Sequence, residues 1–212
     1  MSEVTVQIIV ARYNEDVNWL KGATNVIVYN KGNELSDMDN VISLPNVGRE
    51  AHTYLYHIVE NYEMLADVTL FTQAKISDHG YPENIDALKE RLITPALQKG
   101  ISDNFFTIYA GERPGADPDF NLKIRQWLIG SFNVSPSSVD KIVYSDWFKQ
   151  FVNPVYPNPL QFYGGAIFAV SKQRILTRTK EYYQILLSQL ETENAPIEAH
   201  FLERSWLYVF NC

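Results

Sequence analysis

A single cysteine, Cys212, stands at the last position of the 212 residues, so no disulfide can form within the chain. A reducing compartment suits it, and the fold must rest on packing. Basic clusters are missing as well: 18 Lys and Arg face 25 Asp and Glu, a formal net charge of −7. That disfavours nucleic acid, whose phosphates call for grouped cations. No stretch approaches the ~20 apolar residues of a membrane span. The apolar run near the N-terminus is too short, and lacks the basic flank, for a signal peptide. The glycine loops GxGxxG and GxxxxGK(S/T) do not occur, which argues against a Rossmann dehydrogenase and a P-loop enzyme. CxxC, HExxH and GxSxG are absent too, as are internal repeats. Any chemistry must come from residues scattered over strand ends.

What is present is ordinary in bulk: 46% hydrophobic and 20% charged residues, in a length that suits one domain. A chain of this size buries roughly 70% of its unfolded surface without staples. Aromatics reach 13%, with 13 Tyr and 4 Trp, which serves ring stacking on sugars or bulky core packing equally well. The apolar end SWLYVFNC fits either a last helix docked into the body or the first domain of a longer polypeptide.

The stretch DVTLFTQAKISDHGYP (67–82) organises the rest. It begins as a strand of apolar and β-branched residues and empties into Gln73, Lys75, Ser77, Asp78 and His79. Polar groups just past the carboxyl end of a central strand stand where open α/β sheets bind ligands. A first strand over 4–11 ends in a second burst, Arg12-Tyr13-Asn14-Glu15-Asp16. Strands are predicted at 25–29 and 41–44, and a helix at 49–65 with Ala51, Tyr54, Leu55, Ile58, Val59, Tyr62 and Leu65 inward and Glu50, Thr53, His57 and Glu60 outward. A helix over 83–97 follows, which Pro95 should kink or stop. Then come a strand at 104–110, a loop at 111–121, helices at 122–129 and 138–151, a strand at 166–170, a helix capped by Ser171 running to 191, and a last helix from Pro196 to 210. Strands alternating with helices predict an α/β fold: one domain over 1–212, its mostly parallel (mixed) central sheet covered by helices on both faces.

Several residues carry chemical interest. Arg12, Lys31 and Arg49 offer cations to an anion, Arg49 at a helix start. Asp78 beside His79 offers a hard donor for Mg²⁺ or Mn²⁺. Asp37 and Asp39 read as a solvated turn. His200, Glu203 and Arg204 share one face of the last helix, and Glu198 lies a turn earlier. Gly164-Gly165-Ala166 before a strand allows a backbone to approach a ligand closely.

The first strand running into ARYNED, the burst FTQAKISDHG and the late FYGGAIFAVS resemble the layout of nucleotide-sugar glycosyltransferases of the GT-A fold. The stretches NVGREAHTYLYHIVENY, GGAIFAVSKQRI and PIEAHFLERSWLYVF extend the likeness over nearly the whole chain. The resemblance implies a GT-A-like domain, with a nucleotide-binding half over about 1–110 and an acceptor half over about 111–212. It implies transfer from a nucleoside diphosphate sugar, a UDP-sugar, to a hydroxyl of a glycan or glycoprotein, and extends to domains that glycosylate viral capsid proteins in the host cytoplasm. Ala11, Arg12, Tyr13, Asn14, Lys31 and Arg49 would hold the nucleotide, and Gly164, Gly165 and Ala166 would lie by sugar and acceptor. Asp78, with His200, would ligate Mn²⁺ or Mg²⁺, and Glu198 or Glu203 would deprotonate the acceptor. One departure is evident: Thr72-Gln73-Ala74 stands where that family places Asp-x-Asp. A carbohydrate-binding module and a metal-dependent nucleotide-sugar hydrolase are the competing readings.

Overall fold

A computed structural model of the chain describes residues 3–99, 130, 143–157, 160 and 165–210. The strand at 104–110, the loop at 111–121, the helix at 122–129 and Gly164 lie outside those residues. Five strands form one sheet: β1 (Val6–Arg12), β2 (Val26–Asn30), β3 (Val41–Ser43), β4 (Val68–Gln73) and β5 (Phe168–Ser171), in the order β3-β2-β1-β4-β5. The first four run parallel, and β5 joins β4 antiparallel. The expected α/β fold with a mostly parallel sheet is what the chain adopts.

Strand alternation divides the core in two. Ile9, Tyr29, Phe71 and Phe168 face one side, and Ile8, Val10, Val28, Leu70 and Ala169 face the other. The first face takes α1 (Arg49–Glu60). The second takes α2 (Ile85–Lys99) through Leu88, Leu92 and Ala96. This buried face continues across position 95, and the helix runs on to Lys99 rather than stopping at the proline.

Three more helices stack on the α1 side: α3 (Tyr144–Phe151), α5 (Lys180–Ser188) and α6 (Ile197–Val209). The short α4 (Lys172–Ile175) follows β5, its Ser171 cap accepting from Arg174 N. Thr179 caps α5 separately, so the helix predicted from 172 to 191 is two helices. α3 starts at Tyr144 after an extended Val143, and positions 138–142 of the predicted helix lie outside the described residues.

Because α1 lies between the sheet and α5 and α6, its supposed outer face is not outer. Thr53 and His57 are fully buried, and Glu50 nearly so; only Glu60 is exposed. The sequence pattern shows a single apolar stripe, and it cannot register that a second helical layer covers the back. His57 Nδ1 lies 3.1 Å from the Tyr29 hydroxyl, whereas its buried Nε2 has no hydrogen-bond partner among the described residues. Among the described residues no helix is long and apolar enough to cross a membrane.

Candidate functional site

The strand order reverses at β1: the chain proceeds to β2 and β3 on one side, and β4 lies on the other. Loops leaving parallel strands on either side of such a point diverge and leave a crevice at their carboxyl ends. A cavity of about 360 Å³ occupies this place, within the roughly 300–1,000 Å³ of small-molecule sites. Its wall takes Ala11, Arg12, Tyr13 and Glu15 from the end of β1, and Lys31 from the end of β2. Gln73, Lys75 and Asp78 come from the end of β4, Asn46, Arg49 and Glu50 from the head of α1, and Asn194 from the loop before α6.

Five of the six residues expected at a nucleotide thus meet in one hollow, together with Asp78. Asn14 does not line it: its Oδ1 accepts from Asn33 N at 2.8 Å and fixes the neighbouring turn. Arg12 lines the cavity and also ties the wall together through Nε and Nη1. Its guanidinium donates to the carbonyls of Glu15 (2.9 Å), Tyr13 (3.2 Å) and Asn33 (3.1 Å) and to Asn30 Oδ1 (2.7 Å). It therefore pins the loops after β1 and β2 to one another. Carbonyl oxygens left over at two adjacent strand ends demanded a donor, and no pattern in the sequence announces that demand.

Lys31 is also anchored, with Nζ 2.6 Å from Val47 O and 2.5 Å from Arg49 O. Burial lowers its proton affinity to about 7, against the opposing pull of Glu50. The segment it holds is unusual, since Gly48 (φ +60) and Arg49 (φ +51) are both left-handed. Gly48 has no alternative here, because a Cβ would fall 2.7 Å from the Leu190 carbonyl oxygen. The N–H groups of Gly48 and Arg49 donate to Glu193 O and Asn194 O. These leading amides of α1, expected to welcome an anion, are consumed by the protein. Arg49 itself lies 3.5 Å from Glu50 across an ion pair.

Tyr13 is about half exposed at the rim, the one aromatic among the lining residues. Lys75 and Asp78 form an exposed ion pair at 3.1 Å. Such pairs contribute roughly 0–1 kcal/mol and exchange partners readily.

Gly165 sits beside the end of β4. Its carbonyl accepts from Gln73 Nε2 at 2.8 Å, and its N–H donates to Glu203 Oε1 at 3.1 Å. A Cβ there would lie 2.8 Å from His79 Nδ1. Ala166, φ +48, presents its carbonyl to the Tyr54 hydroxyl at 2.8 Å. Gly165 and Ala166 therefore do adjoin the strand-end cluster, through Gln73.

The α6 residues stand one layer behind the cavity, not on an exposed polar face. Burial pushes the Glu203 carboxyl up, but Arg204, Gly165 N–H, His200 and Arg49 outweigh it and hold the group below the usual carboxylate range. Glu203 is thus a fixed anion bonded to Gly165 N and, at 3.1 Å, to Arg204 Nη1. Glu198, half-buried, is pushed up by burial and by Glu193. His200 is sunk to 3% exposure, and burial, with Arg49 and Arg204, lowers it to about 3.

A divalent cation needs several oxygen or imidazole donors converging on one point. Among the described residues no group of three or more His, Cys, Asp or Glu could hold a metal ion. Asp78 is paired with Lys75, and His200 lies under the influence of two arginines, which repel a cation. The expected pair Asp78 and His200 does not fit a metal centre. Asp37 and Asp39 are exposed, as a solvated turn should be.

Glu15, Asn46, Glu50, Gln73, Lys75 and Asn194 are the lining residues that site prediction missed. Glu15, Gln73 and Lys75 were within the two polar bursts. Periodicity places Glu50 on the wrong face, and Asn194 is brought in by the bond from Arg49 N to its carbonyl.

A family model described as "Protein of unknown function (DUF3431)" matches residues 8–212. The chain belongs to this DUF3431 family. No curated protein and no solved structure matches the chain. The match begins inside β1 and runs to the last residue, so the cavity and the layer behind it both fall within the DUF3431 region.

Proposed function

We propose that this DUF3431 domain is a glycosyltransferase of GT-A type that takes a sugar from a nucleoside diphosphate sugar, a UDP-sugar, to a hydroxyl of a glycan. One observation carries the reading: the crevice at the β1/β4 reversal gathers Lys31, Arg49 and Lys75 around an aromatic rim residue, Tyr13. An anionic diphosphate suits the cations, and a nucleobase suits the ring. The sugar would then extend toward Gln73 and Gly165, where His79 and Glu203 converge on a backbone without a side chain.

Under this reading Lys31 and Lys75 offset charge building on the departing diphosphate. Glu203 acts as a positioning residue, because a carboxylate that already accepts two bonds and is held low makes a poor base. Glu198, whose proton affinity is raised, and Glu50, in the cavity wall, are the carboxylates left to receive the acceptor proton.

Calorimetry with UDP, a panel of UDP-sugars and free sugars tests this directly, followed by an assay for UDP release with and without a glycan acceptor. The expected result is micromolar to millimolar UDP binding and acceptor-dependent release. Binding of glycans with indifference to UDP would make the domain a carbohydrate-binding module. Sugar release at one rate regardless of acceptor would make it a hydrolase.

A further inference from the structure

We infer that the cavity binds a diphosphate group through protein cations alone, with no divalent metal bridging it to the chain. The inference rests on the donor-binding reading for what the diphosphate belongs to, but its chemistry stands on the cavity. Each lining carboxylate is already engaged within the wall. Glu15 Oε2 accepts from Tyr13 N at 2.7 Å, Glu50 lies against Arg49, and Asp78 lies against Lys75. Among the described residues these carboxylates do not gather into a group able to hold a metal. The lining cations come from three separate elements: Lys31 from the end of β2, Arg49 from the head of α1 and Lys75 after β4. Lys31 is held in place by two backbone carbonyls, so its Nζ is preorganised. Lys75 is exposed, and a phosphate can draw it from Asp78 at little cost.

Asp78 then has a role opposite to that of a metal ligand. It competes with phosphate for Lys75 and repels the phosphate as well. The two possibilities give opposite signs in one substitution. With a metal, Asp78→Asn abolishes diphosphate binding; with protein cations, it strengthens it.

Inorganic pyrophosphate, titrated into the intact chain in EDTA and again with saturating Mn²⁺, separates them. Expected are binding in EDTA, a change of less than about threefold with Mn²⁺, a loss of about three- to tenfold in Lys75→Ala restored by Lys75→Arg, and a gain of about two- to fivefold in Asp78→Asn. Lys75 and Asp78 are both exposed, so these variants should fold. Binding that appears only with Mn²⁺ and vanishes in Asp78→Asn overturns the inference and leaves the donor reading standing. Failure to bind pyrophosphate under either condition also overturns it. The donor reading fails separately, on UDP-sugars that neither bind nor turn over.

Discussion

The two faces of the sheet are filled with different materials. On the α2 side the buried core is aliphatic: Ile8, Val10, Val28, Leu70, Leu88 and Leu92. On the α1 side it is aromatic, with Tyr54, Phe71, Phe168, Trp206 and Phe210 packed ring to ring at centroid distances of 4.9–6.0 Å. The aromatic side also holds His52, His57 and His200, three of the chain's four histidines, all buried. Among the described residues α2 packs on the aliphatic side, whereas α1, α5 and α6 stack in two layers on the aromatic side. His52 and His57 pack on rings of this face, which also backs the cavity wall at Arg49 and Glu50.

The largest expected contrast comes from truncating the aromatic lattice. Phe168→Ala should cost about 3–5 kcal/mol in urea unfolding. It should also couple with Trp206→Ala by about 0.5–1.5 kcal/mol, as ring pairs do. Leu92→Ala across the sheet should cost about 2–5 kcal/mol and add independently to either. Coupling between Leu92 and Phe168 would show that the two faces are not separate.

Acid should act through the aromatic face next. Burial first lowers His52 and His57 to about 4 and His200 to about 3. Free histidines protonate near pH 6.5. Between those values the unfolded chain binds more protons, so stability falls as pH drops from about 6.5 toward 4. Each group contributes on the order of 2–3 kcal/mol to that decline. Urea midpoints measured from pH 7 to 4 should show it, and His57→Leu should flatten it. Lys31 works in the same direction at higher pH: held to about 7 in the fold, it lets stability rise as pH climbs from 7 toward its unfolded value.

A smaller effect belongs to the site. Gly165→Ala places a side chain at φ +92 against the His79 ring, and should cost about 1–2 kcal/mol while removing the proposed transfer activity. A variant fully active with any acceptor would separate Gly165 from the chemistry. Smallest of all, Lys75→Ala should change folding by less than about 0.5 kcal/mol and be felt in binding only.

These contrasts mark what the sequence disclosed. The parallel sheet was legible because strands buried on both faces read as apolar runs, and β1, β2 and β4 do so. The place of the cavity followed, since parallel strands finish together and polar residues after β1 and β4 must share an edge. Individual roles were harder to read. Arg12 stands out in the sequence because it follows a strand, but its bonds to the carbonyls of Tyr13, Glu15 and Asn33 depend on a neighbouring loop that the pattern does not show. His200 looked open to a ligand because helical spacing gives a face but not what lies across from it. Glu50 and Asn194 depended on contacts between residues far apart in the chain, which periodicity does not see.

The antiparallel seating of β5 on β4 bears on how the chain is made. β4 is complete at Gln73, but its neighbour on that side does not begin until Phe168. A ribosome adding about 5–20 residues per second leaves the Val68–Phe71 edge without its β5 partner for several seconds. A bare strand edge invites pairing with another nascent chain. Slow or crowded synthesis should therefore favour aggregates nucleated at this edge, and a holdase that shields it during translation should raise the soluble yield.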